Sequence, residues 1–581
     1  MKRFTCARVL ALNVLCGVFG IAGMSSAVGG VIDSNWVGGT GYWDVAGNWE
    51  PNLVPNNDSN FTYNVFIDHG RTGVNSNVTM DTTTWISNLT VDRGDSLVIT
   101  YNRNTQCEAN MTIGAPTGGT IRNEGTIRLS GYPYYYDIGA RLILKGDMTL
   151  TGSGSLILDP ENWFKRIVGD GGNRLTNDAN HTIKGGGDVG CNTLAITNLG
   201  LFEQDEYAKF VFDPPDSPAD GKAGVINDGI MRAYGSGLGG LYFTGGTFTN
   251  NGTIEAFGNT RVTFEATAIL TNYDPNTKTL NGGTWRVIQG PPSNPCTYMT
   301  LTGRTILVNA GDVTVSGPAS YFEGLETLQA NAGEGKFRII HGRTFQTKTG
   351  AGLTGDLSNA GEIEVGTDSN LAVSGRYTQT GGLTTVNGRL SAAKGIDIQG
   401  GRLSGTGMVE ANEVLLAGTV GPGNSVGKLT FRSLSIRGGA AYDFEIAGSA
   451  ADLVEVTGPG PAFQIDPNGP YTINVTVLDA NNPQTEYALF KWAGDDPLTQ
   501  QEFDNVKANC ALNFQPGVSG ELAYTQPDNQ IVLTDVVIPE PGTAALLLTG
   551  ALALLRPRQG RVMGPQRVMR RLAKREGGAP R

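Results

Sequence analysis

Chemistry in a protein usually starts at a histidine, and this chain has three: His69, His181 and His341. A catalytic imidazole needs a nucleophile to activate and a carboxylate to orient it. None of the three has such partners nearby in the sequence, and no G-x-S-x-G or H-E-x-x-H motif occurs. They read as surface or turn residues. Carboxylates are the next candidates, because glycan-cleaving sites group them on one face, often with calcium. Asp170 in VGDGG, Asp188 in GGGDVG and the Asp205-Glu206 pair are the acidic positions of interest. No convincing set of neighbouring acidic and basic residues surrounds them, so no catalytic residue and no metal site is assigned. GGGDVG is one loose copy of a Gly-Gly-x-Gly-x-Asp calcium repeat; a single copy does not support calcium, and no cofactor is expected.

Cys107, Cys191, Cys296 and Cys510 are widely separated and lack metal-ligand spacing. One or two disulfides, or four isolated thiols, both fit a chain of this size. Aromatic residues offer binding rather than catalysis. GYPYYYDIG carries Tyr132, Tyr134, Tyr135 and Tyr136, which would contact carbohydrate or protein if exposed; the alternative is a loop folded back with half its rings buried. Trp36, Trp43 and Trp49 in WVGGTGYWDVAGNWEP suit a sugar platform or the core of a cap, and the cap is favoured.

The elements that would position these residues follow a degenerate repeat. IRNEGTIRLSG, INDGIMRAYG, FTNNGTIEAFG and LSNAGEIEVG each join an Asn and a Gly to a short alternating strand. The second and third copies are 23 residues apart, and the later pairs Gly381-Gly382 and Gly400-Gly401 are 19 apart. An alternating strand buries one face, and Asn or Gly is expected to supply a positive-φ corner. One such turn cannot bury its own apolar face, whereas stacked turns share a core. The fold expected is all-β: a parallel β-helix or β-solenoid with β caps, with tandem β-sandwich modules as the alternative. About 15 coils of about 21 residues, stacked at about 4.8 Å, would make a rod of about 70 Å.

Composition agrees with that class. Charged residues make up 17% of 581 and Gly 83 of them, which suits short strands joined by tight turns. A net charge of -11 argues against nucleic acid as a partner. The basic concentrations lie at the two termini. Lys2, Arg3 and Arg8 precede an apolar run ending near Met24, and Ser25-Ser26-Ala27 then offers a cleavage site after Ala27. That order is a secretory signal peptide, implying the export machinery and a signal peptidase as partners.

Near the other end, VIPEPGTAALLLTGALALLRPR contains a Pro-Glu-Pro triplet, an apolar run from Thr543 to Leu555 and an arginine cluster. Thirteen helical residues span about 20 Å, short of the roughly 30 Å a bilayer core requires. The segment resembles a PEP-CTERM sorting domain, carried by exported proteins of exopolysaccharide-making bacteria. Pro539, Glu540 and Pro541 match its triplet, and Arg556, Arg558 and Arg561 its basic end. The resemblance implies recognition by an exosortase-like membrane enzyme, cleavage near the triplet, a transient inner-membrane intermediate, and delivery to the cell surface or extracellular matrix. The chain departs from the pattern in continuing to Arg581.

Upstream, SGTGMVEANEVLLAGTVGPGNSVGKL and the strands at Phe444–Ile446 and Asp452–Val454 resemble autotransporter-associated β-strand repeats of bacterial surface proteins. No membrane-barrel pattern follows, so self-export is not expected. The domain reading is therefore residues 1–27 signal peptide, 28–100 Trp/Gly-rich cap, 101–420 solenoid, 421–535 C-terminal β region and 536–581 sorting segment. The function expected is a non-enzymatic surface or matrix protein, an adhesive or scaffolding rod in a biofilm, with exopolysaccharide as a partner. A polysaccharide lyase or hydrolase is the alternative; it requires at least three acidic residues and a Lys or Arg converging in a groove.

Overall fold

Alternation in the sequence becomes alternation of burial. In Phe61–Ile67 the side chains of Tyr63, Val65 and Ile67 point inward while their neighbours face out. The computed structural model describes residues 29–539, except 38, 68–73, 103–104, 106, 132–138, 161–163, 206, 217–223, 236, 238, 291–295, 351 and 495–497. Within them the chain is 57% strand with one α-helix, Gln500–Ala508. No described helix is long and apolar enough to cross a membrane.

The chain winds as a β-solenoid, each coil contributing one short strand to each of three long, mostly parallel sheets. Sheet A has 11 strands, from Gly30–Trp36 to Ile269–Leu270. Sheet B runs from Thr40–Tyr42 to Cys510–Phe514. Sheet C has 10 strands, from Thr84–Ile86 to Ser320–Phe322. Past residue 279 the first face merges into sheet B through the long strands Thr279–Ile288 and Val308–Ser316, with a register shift between Asn281 and Thr284. A nine-stranded sheet D, beginning at Thr344–Gln346, then supplies the remaining face.

Register follows the inward residues, because a one-residue slip would turn a whole strand inside out. Met148, Leu175, Ile196, Val225, Phe248 and Leu270 form one inward column through successive coils. Each such side chain contributes about 1.5–3 kcal/mol by leaving water. The 23-residue repeat is the pairing of Asn227 with Asn250, and the 19-residue repeat that of Leu383 with Arg402. Other coils depart widely from this length: 18 residues from Ile396 to Val414, 32 from Leu89 to Ile121. The strands stay in step, and the excess leaves as loops.

The expected positive-φ corner is corrected in part. Gly229 and Gly252 of the Asn-Gly copies are absent from the positive-φ residues, as are their asparagines. Glycine is needed there because neighbouring coils touch: a Cβ on Gly252 would lie 2.1 Å from the Gly229 carbonyl oxygen. Gly382 and Gly401 in the later copies do adopt φ of 63° and 69°.

At the first coils Trp36, Trp43 and Trp49 are all at most 2% exposed and meet edge to face, at 5.0 and 4.7 Å. Their indole N–H groups donate to the carbonyls of Gly39, Pro55 and Trp43 respectively, so the cluster is satisfied core and no sugar platform. Parallel strand pairing already runs through residues 30–100. At the other end the helix Gln500–Ala508 starts with a capping box between Thr499 and Glu502 and buries Phe503 and Val506. An antiparallel hairpin, Ser519–Thr525 with Gln530–Val537, follows it.

Candidate functional site

Of the sequence-derived site residues, Pro539 is the last described position, two residues beyond the final strand. Glu540, Pro541, Arg556, Arg558, Arg561, Ala27, His69 and Tyr132, Tyr134, Tyr135 and Tyr136 lie outside the described residues. The acidic candidates are not brought together. Asp188 lies in sheet C and is paired with Arg166 at 3.2 Å, whereas Asp205 closes a strand of sheet B. Asp170 follows its strand and accepts from the Gly146 N–H at 3.4 Å. Among the described residues no group of three or more His, Cys, Asp or Glu is arranged to hold a metal. Of the six cysteines, the four among the described residues, Cys107, Cys191, Cys296 and Cys510, are unbridged. Burial pushes the thiols of Cys191 and Cys510 up to about 11, which keeps them protonated and poorly nucleophilic at neutral pH.

The surface expectation holds for one described histidine and fails for the other. His341 is exposed in a left-handed turn, its Nδ1 2.8 Å from the Ser316 hydroxyl. His181 is fully buried. It is a member of a polar ladder that the Asn-Gly repeats build inside the first corner. Asn177 donates through Nδ2 to Oδ1 of Asn198 at 2.9 Å, Asn198 to Asn227 at 2.8 Å, and Asn227 to Asn250 at 2.9 Å. A second run links Asn309 to Asn331 and Asn331 to Asn359, at 2.9 and 2.8 Å.

Between Asn123 and Asn177 one rung is missing, because the intervening coil has Gly152 and Gly154 at that corner. The His181 ring bridges the gap, with Nε2 3.0 Å from Nδ2 of Asn123 and Nδ1 3.0 Å from Oδ1 of Asn177. An amide nitrogen only donates, so Nε2 accepts and the proton sits on Nδ1. Burial, opposed by Asp178 and Glu124, lowers the imidazole to about 4. The ring is a neutral structural strut, not a general base.

The outward faces differ in how they treat charge. On sheet B, Glu203, Arg232, Glu255 and Arg286 occupy one column in successive coils. Arg232 reaches Glu203 at 3.4 Å and Glu255 at 2.7 Å, and Arg286 lies 3.9 Å from Glu255. Farther along, Arg338 joins Asp312 at 2.5 Å and Glu364 at 3.6 Å. This face neutralises itself.

On sheet C Arg141 pairs with Glu108 at 2.9 Å and Arg166 with Asp188 at 3.2 Å, but a row of cations also meets aromatic rings. Lys145 lies over Trp85 at 3.9 Å, Arg166 over Phe164 at 4.9 Å and Lys209 over Tyr242 at 5.0 Å. Arg261 covers Tyr298 at 5.6 Å, Tyr298 stacks on Tyr321 at 5.4 Å, and Arg343 covers Tyr321 at 4.9 Å. Register explains the row. Lys209, Gly240, Arg261, Tyr298 and Tyr321 are aligned partners in consecutive strands. Among the described residues Lys209, Arg261 and Arg343 have no carboxylate partner within salt-bridge distance. The row opens at one end into a groove of about 570 Å³ lined by Phe164, Lys165, Gly187, Asp188, Tyr207 and Lys209. Lys165 donates to the Asp159 carbonyl at 2.5 Å, and its burial lowers the ammonium to about 8, against the pull of Asp159 and Asp188. Tyr207 is 72% exposed at the groove.

Reading the sequence alone missed this row. A local signal existed, since Tyr242, Tyr298 and Tyr321 each stand between two inward side chains and so must point outward. Their alignment across coils of unequal length was not visible.

Comparison with known proteins adds no assignment: no family model matches the chain, and no curated protein matches it.

Proposed function

We propose that this chain is an exported surface or extracellular-matrix protein that works by adhesion and scaffolding rather than turnover. A C-terminal sorting signal of the PEP-CTERM kind delivers it in an exopolysaccharide setting. The observation that carries the reading is the sheet C face: an extended row of cations and rings in which Lys209, Arg261 and the adjoining Arg343 have no carboxylate partner among the described residues. Ten strands at about 4.8 Å extend roughly 45 Å along the axis, more than a single small-molecule pocket requires. The triplet begins two residues beyond the strand Gln530–Val537, so cleavage there leaves every described strand intact. That supports a signal removed from a finished fold, with the exosortase-like enzyme and export machinery as transient partners.

Two measurements test the proposal. C-terminal sequencing of material recovered from the cell surface is expected to end near Glu540; mature protein still carrying Leu546 to Arg556 contradicts it. Purified protein is expected to pull down matrix polysaccharide without shortening it, and release of oligosaccharides would establish the lyase or hydrolase reading instead.

A further inference from the structure

We propose that the sheet C row, from the Phe164 groove to Arg343, binds a linear anionic polysaccharide lying along the solenoid axis. The inference rests on the adhesive reading above and names its ligand class. Cation–π contact leaves Lys and Arg charged while holding them in place, so the row keeps its positive charge. The contrast with sheet B is the central fact: there each Arg of the Glu203–Arg286 column faces a carboxylate. Lys209 and Arg261 on sheet C, and Arg343 in the turn before Thr344–Gln346, face only rings and backbone among the described residues. Glu265 and Glu323 follow the ends of their strands, outside the aligned column.

The geometry selects a chain rather than a small anion. Gly240 stands between Lys209 and Arg261 in the column and contributes no side chain, so no other side chain of the column separates the two cations. Two strand steps set them about 10 Å apart, close to the length of a disaccharide in an extended glycan. Arg261, Tyr298, Tyr321 and Arg343 then form a continuous guanidinium–ring–ring–guanidinium stack along the axis. With ring faces turned toward one another, the stack offers hydrogen-bonding groups at its edge: guanidinium N–H and phenol O–H. These suit carboxylates and sugar hydroxyls. A duplex nucleic acid, with one charge per about 1.7 Å of axis, is a poor match for so sparse a row on a chain of net charge -11.

The test uses the full secreted chain, immobilised, with three probes: polygalacturonate, neutral dextran and a DNA duplex. Polygalacturonate is expected to bind, and to weaken as salt is raised. The variant carrying Lys209→Gln, Arg261→Gln and Arg343→Gln is expected to lose at least tenfold in affinity. Lys428→Gln, which removes a sheet D cation paired with Glu455, leaves binding unchanged and controls for the loss of a positive charge away from the row. Tyr298→Phe keeps the stack but loses the hydroxyl, and a two- to fivefold loss is expected, so the row is probed even if the triple variant folds poorly. Wild-type binding by the triple variant with an unaltered far-ultraviolet spectrum overturns the proposal, as does preferential binding of the duplex. Dextran binding that is insensitive to all these changes overturns this ligand class while leaving adhesion standing. Absence of binding to any glycan, matrix extract included, removes the adhesive reading itself.

Discussion

Acidification should weaken the middle coils through a single side chain, His181. In the folded chain its Nε2 accepts from Asn123 and its Nδ1–H donates to Asn177, so the ring must be neutral. The folded imidazole titrates at about 4, lowered chiefly by burial, against an ordinary value near 6.5. Between those values the unfolded chain binds the proton and the folded chain does not, so stability falls as pH falls. The contribution is fully present above pH 6.5 and is lost progressively down to about 4. At about 1.4 kcal/mol per pH unit, the loss at pH 5 is about 2 kcal/mol and the total about 3 kcal/mol. Asp452 works in the opposite sense. Burial raises it to about 7, although the Gly427 and Glu445 N–H groups donate to it, so its share of stability is lost as pH rises through that value. Global melting therefore mixes the two. Hydrogen exchange of the segment 173–205, measured at pH 7.5 and 5.0 on wild type and His181→Ala with exchange rates corrected for pH, separates them. His181→Ala is expected to cost about 3 kcal/mol at pH 7.5, by leaving Nδ2 of Asn123 and Oδ1 of Asn177 without the ring nitrogens they bond. It should also abolish the local acid sensitivity. Parallel pH profiles for the two proteins, within about 0.5 kcal/mol, would refute the assignment of the proton.

Asn227→Leu should destabilise by about 2–4 kcal/mol in chemical denaturation, since it leaves the buried Asn250 Oδ1 without its Asn227 donor and removes one acceptor of the Asn198 amide. Gly252→Ala should cost about 2–3 kcal/mol because its Cβ would meet the Gly229 oxygen at 2.1 Å. Gly303→Ala, at φ 73° with open space around it, should cost only about 1–2 kcal/mol for the left-handed backbone; equal losses at the two sites would argue against coil contact as the reason for glycine. Trp43→Ala should lower stability by about 3–5 kcal/mol, read as lost protection in residues 30–50, because a fully buried indole leaves a cavity against Trp49.

The fold class was legible because its signal is local. Tyr63, Val65 and Ile67 alternate in the sequence as they alternate in space, and the Asn-Gly copies repeat at the coil length of their own region. The reason for that Asn was not legible. At Asn227 it serves a side-chain ladder rather than a positive-φ turn, and only the coils on either side show this. His181 misled for the same reason: in the sequence it follows Asp178-Ala179-Asn180 in an apparent surface turn. The gap it fills was made by Gly152 and Gly154, a coil away.

By itself the sequence determined the strands and their stacking, because hydrophobic alternation acts over a few residues. Tertiary structure alone decided which outward residues become neighbours. Coils of 17 to 39 residues, from Arg402–Thr419 to Tyr471–Cys510, bring partners into register at offsets no fixed period supplies. Sheet B thereby became a self-neutralised ladder of Glu and Arg, and sheet C a row of cations resting on rings. Which charges remain free to meet another molecule is set by that register.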